Sequence, residues 1–427
     1  MKLATCAVLV SRLVCSMADS NTESLIEWLD VSPTPFHVVE TTRQLLHESG
    51  FVQQHGFTHE VARAGYFIRD GSIVAWRQGS KHGALRIIGA HTDSPNLRIQ
   101  ARPDISQFGW AQLGVEIYGG VLLNSWLDRD LGIAGRVIDH NGEVHLFNVN
   151  EALARVPQLA IHLDREINER GLLLDKHQHT TPIWGVRAPI FEEWIAEVSG
   201  AQSVAAFDAH LYDITPATIL GVDESMLVSG RLDNQVSCWA AISALVNTHD
   251  HEHTVVVVLN DHEEVGSESV TGAGGTLLSS LLTCLARDHG LSEGAVFDMR
   301  NRSWCLSADN AHAVHPNYAE RHDPRHAPRP NAGPALKLNG NQRYATSARG
   351  VAFLRTVAER SEVPLQVFMS RNNMPCGSTI GPITSTQLGI EAIDIGVPQL
   401  SMHSAREMCG ADDPEFLVAL MSAFAQS

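Results

Sequence analysis

The chain has 427 residues, 44% of them hydrophobic and 19% charged, and these values are ordinary for a globular protein of two or three domains. Its net charge of −17 at pH 7 argues against nucleic acid as a partner, and no segment approaches the roughly 18–20 apolar residues of a membrane span. The seven cysteines are scattered without a C-x-x-C pair, which argues against a disulfide framework or a cysteine zinc site and favours a reducing, cytoplasmic location.

The first hundred residues predict an extension followed by helices and strands. Residues 1–17 loosely resemble a signal peptide, but Arg12 interrupts the apolar run and Met17 offers an alternative start. We predict helices over 22–30 and 37–48, a strand pair over 60–80 that turns at Asp70-Gly71, and a strand over 85–90.

The middle of the chain differs in character from both ends. From 101 to 228, short apolar runs alternate with turn signals such as Asn141-Gly142, which predicts an inserted, mostly β domain. Residues 18–100 and 229–427 then form one α/β domain. In its second part we predict helices over 236–246, up to 287, 347–359 and 413–425, strands over 255–259, 294–299, 304–307, 364–370 and 392–396, and a glycine-rich loop over 376–382.

The most informative segment is a valine-rich run that ends near two adjacent glutamates. Residues 255–259 indicate a strand buried on both faces, as in a parallel sheet, and Glu263 and Glu264 follow it. Neighbouring carboxylates raise each other's pKa, so ionising both is costly unless a cation offsets their charge. One glutamate can then bind metal while the other moves protons, whereas the plainer interpretation is a solvated acidic loop.

Other ligand-type side chains occupy the same setting. His91, Asp309 and His403 each follow a predicted strand, and Asp233 precedes a predicted helix. The functional crevice of an open α/β sheet lies outside the carboxyl ends of its strands, so we expect these side chains to meet there. Together with Glu264 they offer two imidazoles and three carboxylates, a set that suits zinc or a similar divalent ion.

The same residues allow a two-metal arrangement. Two ions roughly 3.5–4 Å apart and joined by a carboxylate would hold a hydrolytic water and a substrate carbonyl. We assign the bridge to Asp233, because a helix start holds it rigidly. Spacing leaves open whether Asp309 or Glu264 shares a metal with His91, the other carboxylate then joining His403.

Two further acidic residues have candidate roles beside the metals. Asp93, two residues after His91, can accept the second imidazole N–H and so fix the orientation of the ring. Glu263 is the candidate general base and acid, which takes a proton from the water and returns it to the leaving amine.

With these motifs the chain resembles the aspartyl aminopeptidase family, which are dinuclear-zinc exopeptidases of the zinc-peptidase α/β fold. The matching segments are 32–37 (SPTPFH), 91–95 (HTDSP), 231–234 (RLDN), 261–267 (DHEEVGS), 307–318 (SADNAHAVHPNY), 341–345 (NQRYA), 376–382 (CGSTIGP) and 402–407 (MHSARE). The resemblance implies a zinc-peptidase-like α/β/α catalytic domain with an inserted, mostly β dimerisation domain. It also implies two Zn²⁺ ions per subunit, with Mn²⁺ or Co²⁺ possible at one site.

The resemblance implies roles for individual residues. It assigns metal binding to His91, Asp233, Glu264, Asp309 and His403, catalysis to Glu263 with support from Asp93, and substrate contact to His162, His312 and Lys337. His162 would reach into a neighbouring subunit's active site, in a dodecamer built from dimers. Lys337 would supply the cation for an acidic substrate residue, since a lysine point charge suits a flexible carboxylate. Asn373 departs from the family, which usually has aspartate there.

We therefore expect a cytoplasmic, metal-dependent aminopeptidase that removes N-terminal residues, preferably Asp or Glu, from peptides with a free N-terminus. A deacylase or carboxypeptidase on the same scaffold would share the metal site without needing a free amine. A non-enzymatic assembly protein is the other alternative, and the intact Glu263 speaks against it.

Overall fold

The computed structural model describes residues 21–249 and 251–427, so the signal-like segment at 1–17 lies outside the described residues. Within them, no helix combines the length and the apolar character that crossing a membrane requires. The helices are α1 (Thr22–Val31), α2 (Pro35–Glu48), α3 (Ile167–Arg170), α4 (Phe191–Ser199), α5 (Leu232–Val246), α6 (Leu277–Asp288), α7 (Glu293–Arg302), α8 (Ala348–Arg360), α9 (Ile380–Leu388) and α10 (Asp413–Ala425). The strands are β1 (Val52–Gln53), β2 (Ala64–Arg69), β3 (Ser72–Arg77), β4 (Leu85–His91), β5 (Asn96–Gln107), β6 (Trp110–Tyr118), β7 (Leu131–Ile138), β8 (Val144–Ala154), β9 (Ile183–Gly185), β10 (Ala206–Asp213), β11 (Thr218–Leu220), β12 (Met226–Ser229), β13 (Thr254–Asn260), β14 (Trp304–Ala308), β15 (Ala311–His312), β16 (Ala335–Leu338), β17 (Gln366–Met369), β18 (Glu391–Gly396), β19 (Pro398–Leu400) and β20 (Glu407–Gly410).

A nine-stranded mixed sheet forms the centre of the molecule. Its strand order is β1-β2-β3-β13-β4-β14-β18-β16-β17. Strand β13 runs parallel to β4, and β14 runs parallel to both β4 and β18. The carboxyl ends of these four strands therefore lie along one edge, as the sequence predicts.

Helices cover both faces of this sheet. Alternate residues of β13 belong to two different cores, Val255 and Val257 to one and Val256 and Val258 to the other. The first core includes side chains of α1, α2, α5, α8 and α10, and the second includes side chains of α6, α7 and α9. Burial of a strand on both faces explains its uninterrupted apolar sequence, and the α/β/α architecture predicted from the sequence is confirmed.

Local sequence explains where several helices begin. The side chain of Asn21 accepts the backbone N–H of Ser24 at the start of α1, and Ser347 accepts that of Gly350 in α8. Helix α2 starts with Pro35, two residues before the predicted start, because proline suits the first helical position, where its missing N–H is not needed.

The strand predicted over 294–299 is wrong, because this segment lies within helix α7. The side chain of Ser292 caps the helix by accepting the N–H of Ala295 at 3.3 Å, and two arginines lie in its last turn. Only Met299 of this helix is buried, while Phe297 is exposed. A short apolar run does not separate helix from strand by periodicity alone. The sequence also gave no indication of α9, which begins at Ile380 inside the predicted glycine-rich loop.

The insertion is a separate six-stranded sheet, of order β8-β7-β10-β5-β6-β9, and we call residues 96–213 the inserted sheet region. It has its own core, to which Phe191 and Ile195 of α4 contribute. The sheet begins and ends earlier in the chain than the domain predicted over 101–228, whose bounds remain a prediction. Strand β5 starts at Asn96, and β11 and β12 instead join a five-stranded sheet of order β11-β12-β20-β19-β15 with strands from the end of the chain.

Candidate metal centre

The sheet edge brings the candidate metal ligands together. His91 is the last residue of β4, and Asp309 directly follows β14. Glu264 lies on a 3-10 turn after β13, His403 follows β19, and Asp233 lies in the first turn of α5. Five side chains from distant parts of the sequence thus converge at one place.

Asp233 lies between the two histidines. Its Oδ1 atom is 3.5 Å from Nε2 of His91, and its Oδ2 atom is 3.6 Å from Nε2 of His403. The two oxygens of one buried carboxylate therefore face two different imidazoles, as a bridging carboxylate would.

The other two carboxylates divide between these sides. Oδ1 of Asp309 is 3.9 Å from Nε2 of His91, whereas Oε2 of Glu264 is 3.4 Å from Nε2 of His403. By these distances Asp309 lies beside His91 and Glu264 lies beside His403, with Asp233 between the two histidines.

The residues present suit a metal by their chemistry and by their unused acceptors. Ligand atoms of His91, Asp233 and Glu264 all lie within 4.8 Å of one another. Oδ1 of Asp233 and Oε1 of Glu264 are buried without a hydrogen-bond partner. A buried hydrogen-bond acceptor without a partner destabilises the fold unless an ion or water pairs with it. Imidazole nitrogens and carboxylate oxygens are ligands that Zn²⁺ binds.

Electrostatics also favour a cation at this place. Burial raises the pKa of Glu264 well above its usual range, and the negative charge of Asp233 adds to this. Burial likewise raises the pKa of Glu263 to about 8. Burial lowers the pKa of His91, but its contacts with Asp233 and Asp309 outweigh burial and raise the pKa well above normal. Neighbouring buried carboxyl groups of this kind are stabilised in their ionised form when a divalent ion replaces the protons.

Asp93 holds the residues around it by several hydrogen bonds. It is fully buried, and its carboxylate accepts the backbone N–H groups of Glu263 and Glu264, each at 3.1 Å. Nδ1 of His91 lies 3.0 Å from the backbone oxygen of Asp93 and 3.4 Å from its Oδ1. One side chain thus fixes the 3-10 turn that carries both glutamates and faces the outer nitrogen of His91.

Glu407 is a site residue to which the sequence analysis gave no role. It is 1% exposed, and its carboxylate accepts the N–H of Asp233 at 2.9 Å and that of His403 at 2.6 Å. Burial raises the pKa of Glu407 to about 8. The only sequence feature that pointed to Glu407 was its position at the end of the 402–407 motif. That position does not reveal that its carboxylate accepts the N–H groups of Asp233 and His403.

Lys337 lies beneath the centre rather than in solvent. It is 3% exposed, and Nζ donates to the backbone oxygens of Asp309 and Asn310, each at 3.0 Å. Nζ also lies 3.4 Å from Oδ2 of Asp309 and 4.8 Å from the ring centroid of Tyr344. Lys337 is therefore a buried lysine whose charge lies next to Asp309.

The remaining predicted substrate residues lie in different surroundings. His312 is in β15, close to Asp309 in the chain, and its ring centroid lies 5.8 Å from that of Phe368. His312 has an exposed surface but lies in dense surroundings, and their desolvation, and then the charge of Lys337, lower its pKa to about 4. His162 is exposed on a 3-10 turn of the inserted sheet region, where it makes no hydrogen bond or ion pair with the described residues. Asn373 lies exposed in a turn after β17.

A second acidic group, Asp139 with Glu143 and His145, also has the composition of a metal site. Oδ1 of Asp139 already accepts the N–H groups of Asn141 and Glu143 and so closes the turn between β7 and β8. We interpret this group as a turn.

The chain is similar in sequence and in fold to known metallo-aminopeptidases. The family model described as aminopeptidase I zinc metalloprotease (M18) matches residues 28–425. A probable M18 family aminopeptidase 2 from Streptomyces coelicolor is 45% identical over 425 residues, which cover 95% of this chain and 98% of that protein. The cryo-EM structure of the Ape4 and Nbr1 complex contains a chain that is similar with a TM-score of 0.91 and 33% sequence identity. The match covers 96% of this chain and 86% of that chain. A chain of the S. cerevisiae mApe1 dodecamer is similar with a TM-score of 0.81 and 27% sequence identity. The match covers 94% of this chain and 95% of that chain.

Proposed function

Since the chain belongs to the M18 family of zinc metallo-aminopeptidases, we propose that it hydrolyses the first peptide bond of its substrates at a two-metal centre. The observation that carries this proposal is Asp233, whose two carboxylate oxygens face His91 and His403 respectively. Peptides with a free N-terminus are the proposed substrates, and Asp and Glu are the preferred first residues.

We assign the metal ligands by their proximity to these two oxygens. His91 and Asp309 would hold one ion, His403 and Glu264 the other, and Asp233 would join them. Bound Zn²⁺ would polarise the scissile carbonyl and lower the pKa of the attacking water. Because Mn²⁺ and Co²⁺ accept the same nitrogen and oxygen donors, the proposal of two zinc ions per subunit allows either ion at one site.

Glu263 is the proposed general base. It takes the proton of the attacking water and returns it to the nitrogen of the leaving peptide when the bond to the carbonyl carbon breaks. Asp93 supports this step, because its carboxylate holds the backbone N–H of Glu263 and faces His91, so both residues keep their position.

The proposed preference for acidic first residues depends on Lys337 and His312. The ammonium donates to two backbone oxygens at 3.0 Å, and it also lies 3.4 Å from Oδ2 of Asp309 and 4.8 Å from the ring centroid of Tyr344. In this proposal the ammonium turns from Asp309 towards a carboxylate of the substrate. His312 lies beside the same segment and is the second proposed contact to the substrate.

We propose that the active form is a dodecamer built from dimers, in which His162 reaches a neighbouring subunit's site. A structural relative is described as a dodecamer, and this supports the proposal. The inserted sheet region also exposes large apolar side chains, among them Phe108, Leu163, Leu173 and Val186, which suit contact with a second copy. Light scattering should give twelve subunits, and His162→Ala should lose activity but keep zinc, whereas His177→Ala, also exposed there, should lose neither. A monomer of full activity would contradict this assembly.

We propose a cytoplasmic location, and the cysteines support it. Cys238, Cys284, Cys305, Cys376 and Cys409 are all free thiols among the described residues. Thiols of this kind persist in reducing compartments.

A release assay tests the proposed reaction. The purified protein is given matched peptides that begin with Asp, Glu, Leu or N-acetyl-Asp, with chelator and then with zinc restored. We expect Asp and Glu to be released faster than Leu, and the acetylated peptide not to react. Chelator should abolish the release, and added zinc should restore it. Cleavage of only the acetylated peptide would indicate a deacylase, and a zinc-loaded protein without any turnover would indicate an assembly protein.

A further inference from the structure

The inserted sheet region reaches the metal centre through one short segment. Strand β6 ends at Tyr118, and Gly119 and Gly120 follow it. These three consecutive residues contact three different residues of the centre, Asp93, Glu264 and His403.

Tyr118 completes the surroundings of Asp93. Its hydroxyl donates to Oδ2 of Asp93 at 2.8 Å, and the same oxygen accepts the N–H of Glu264 at 3.1 Å. Asp93 is fully buried, so the hydroxyl of Tyr118 is one of the few donors that reach its carboxylate. Without it, Oδ2 of Asp93 keeps only the N–H of Glu264, so the carboxylate is held less firmly against His91 and the turn that carries Glu263.

The two glycines hold the other side of the centre. The carbonyl oxygen of Gly120 lies 3.0 Å from Nδ1 of His403, so it can accept that N–H and leave Nε2 free for a metal. A Cβ atom on Gly120 would lie 2.9 Å from Nδ1 of His403. Gly119 has φ +74°, and a Cβ atom there would lie 3.0 Å from Cβ of Glu264. Both positions need glycine, because the backbone passes directly against the ligands.

We propose that the segment from Tyr118 to Gly120 is a positioning element of the metal centre, through which the inserted sheet region sets the affinity for zinc. Tyr118 is a positioning residue that acts through Asp93, and Gly120 acts through His403. This inference rests on the proposed function, since it presumes that His91, Glu264 and His403 bind zinc.

The test compares the removal of two hydrogen-bonded tyrosine hydroxyls from the same sheet. Tyr118→Phe removes the hydrogen bond to Asp93 and keeps the ring. Tyr212→Phe is the matched control, because the Tyr212 hydroxyl donates to Asn148 within the inserted sheet region, at 2.5 Å. Zinc affinity is measured by competition with a chromogenic chelator, alongside kcat, KM and the melting temperature of the metal-free protein.

We expect Tyr118→Phe to weaken zinc binding about 10- to 100-fold, the usual effect of losing a partner of a metal ligand, and to lower kcat with KM unchanged. Tyr212→Phe should bind zinc as the unmodified protein does. A purely structural role for Tyr118 would lower the melting temperature and leave the zinc affinity unchanged, and this result would overturn the inference.

A second variant keeps the test decisive if Tyr118→Phe folds poorly. Gly120→Ala places a methyl group against His403 and should also weaken zinc binding, whereas Gly56→Ala, with no atom within 4 Å of the added Cβ, should not. Zinc binding by the unmodified protein with no effect of either variant would reject the inference and leave the proposed function standing. An unmodified protein that binds no zinc would contradict both.

Discussion

The carboxylate of Glu407 accepts the backbone N–H of Asp233 at 2.9 Å, although the two residues lie 174 positions apart in the chain. The other oxygen of Glu407 accepts the N–H of His403 at 2.6 Å. One buried side chain therefore fixes both the carboxylate between the two histidines and one of those histidines.

Glu407→Gln should weaken zinc binding and destabilise the protein. The amide has one acceptor oxygen for two backbone donors, so one buried N–H is left unpaired at a cost of about 1–3 kcal/mol. We expect a lower melting temperature and zinc binding weaker by about 10- to 100-fold, measured by chelator competition. Glu391→Gln, which alters a carboxylate that pairs with Arg349 near the surface, is the control and should leave zinc affinity unchanged. Unaltered affinity in Glu407→Gln would show that Glu407 does not position the centre.

Lys337→Met should separate a role in specificity from a role in structure. The ammonium lies 3.4 Å from Oδ2 of Asp309, so its removal should slow the hydrolysis of every peptide to some extent. A charge-assisted hydrogen bond to an acidic substrate contributes about 1.5–3 kcal/mol, so peptides that begin with Asp should lose at least about tenfold more kcat/KM than those that begin with Leu. Lys81→Met, at an exposed lysine, is the control. If kcat/KM fell equally for both peptides, Lys337 would serve only to position Asp309 and would not recognise the substrate.

Glu263→Gln should remove turnover while zinc stays bound. The amide keeps the shape of the side chain but cannot take a proton from water, and loss of a general base costs about 10²- to 10⁴-fold in rate. The measurement is kcat at full zinc occupancy, with Glu268→Gln in the same loop as the control. A value of kcat within about threefold of the unmodified protein would mean that another group is the base.

His210 should make the protein less stable in acid. Burial, followed by the charge of Arg98, lowers the pKa of His210 to about 4, and Asp208, His37 and Arg136 also face it. Since the pKa is lower in the folded state, the unfolded chain binds the extra proton as pH falls from about 6.5, and the free energy of unfolding decreases until about pH 4. A shift of this size corresponds to about 3 kcal/mol.

Replacement of His210 tests this directly. The urea midpoint should fall less between pH 7 and pH 4.5 in His210→Gln than in the unmodified protein. His140→Gln, at an exposed histidine, should reproduce the unmodified response. The same loss of stability in His210→Gln would assign the acid sensitivity to other groups.

Much of the site could be predicted because parallel strands bring their ends together. The valine-rich β13 indicated a buried strand, and residues after β4, β13 and β14 then had to meet at one edge. The proximity of Asp309 to His91 and of Glu264 to His403 could not be predicted, because it depends on side-chain directions that spacing does not determine.

Other features depend on contacts that leave no local pattern. Glu407 and Tyr118 each act on residues far away in the chain, and neither differs locally from an ordinary buried acid or tyrosine. The apolar run at 294–299 fits a strand as well as a helix, and the capping by Ser292 decides for the helix. Strand β5 starts at Asn96, with only four residues between it and the end of β4 at His91, and so short a break leaves little local signal for where the inserted sheet begins.

Anomalous diffraction at the zinc edge from zinc-loaded crystals tests the central claim most directly. We expect two peaks in each subunit, roughly 3.5–4 Å apart, one beside His91 and Asp309 and one beside His403 and Glu264, with Asp233 between them. A single peak, or peaks away from Asp233, would contradict the two-metal centre.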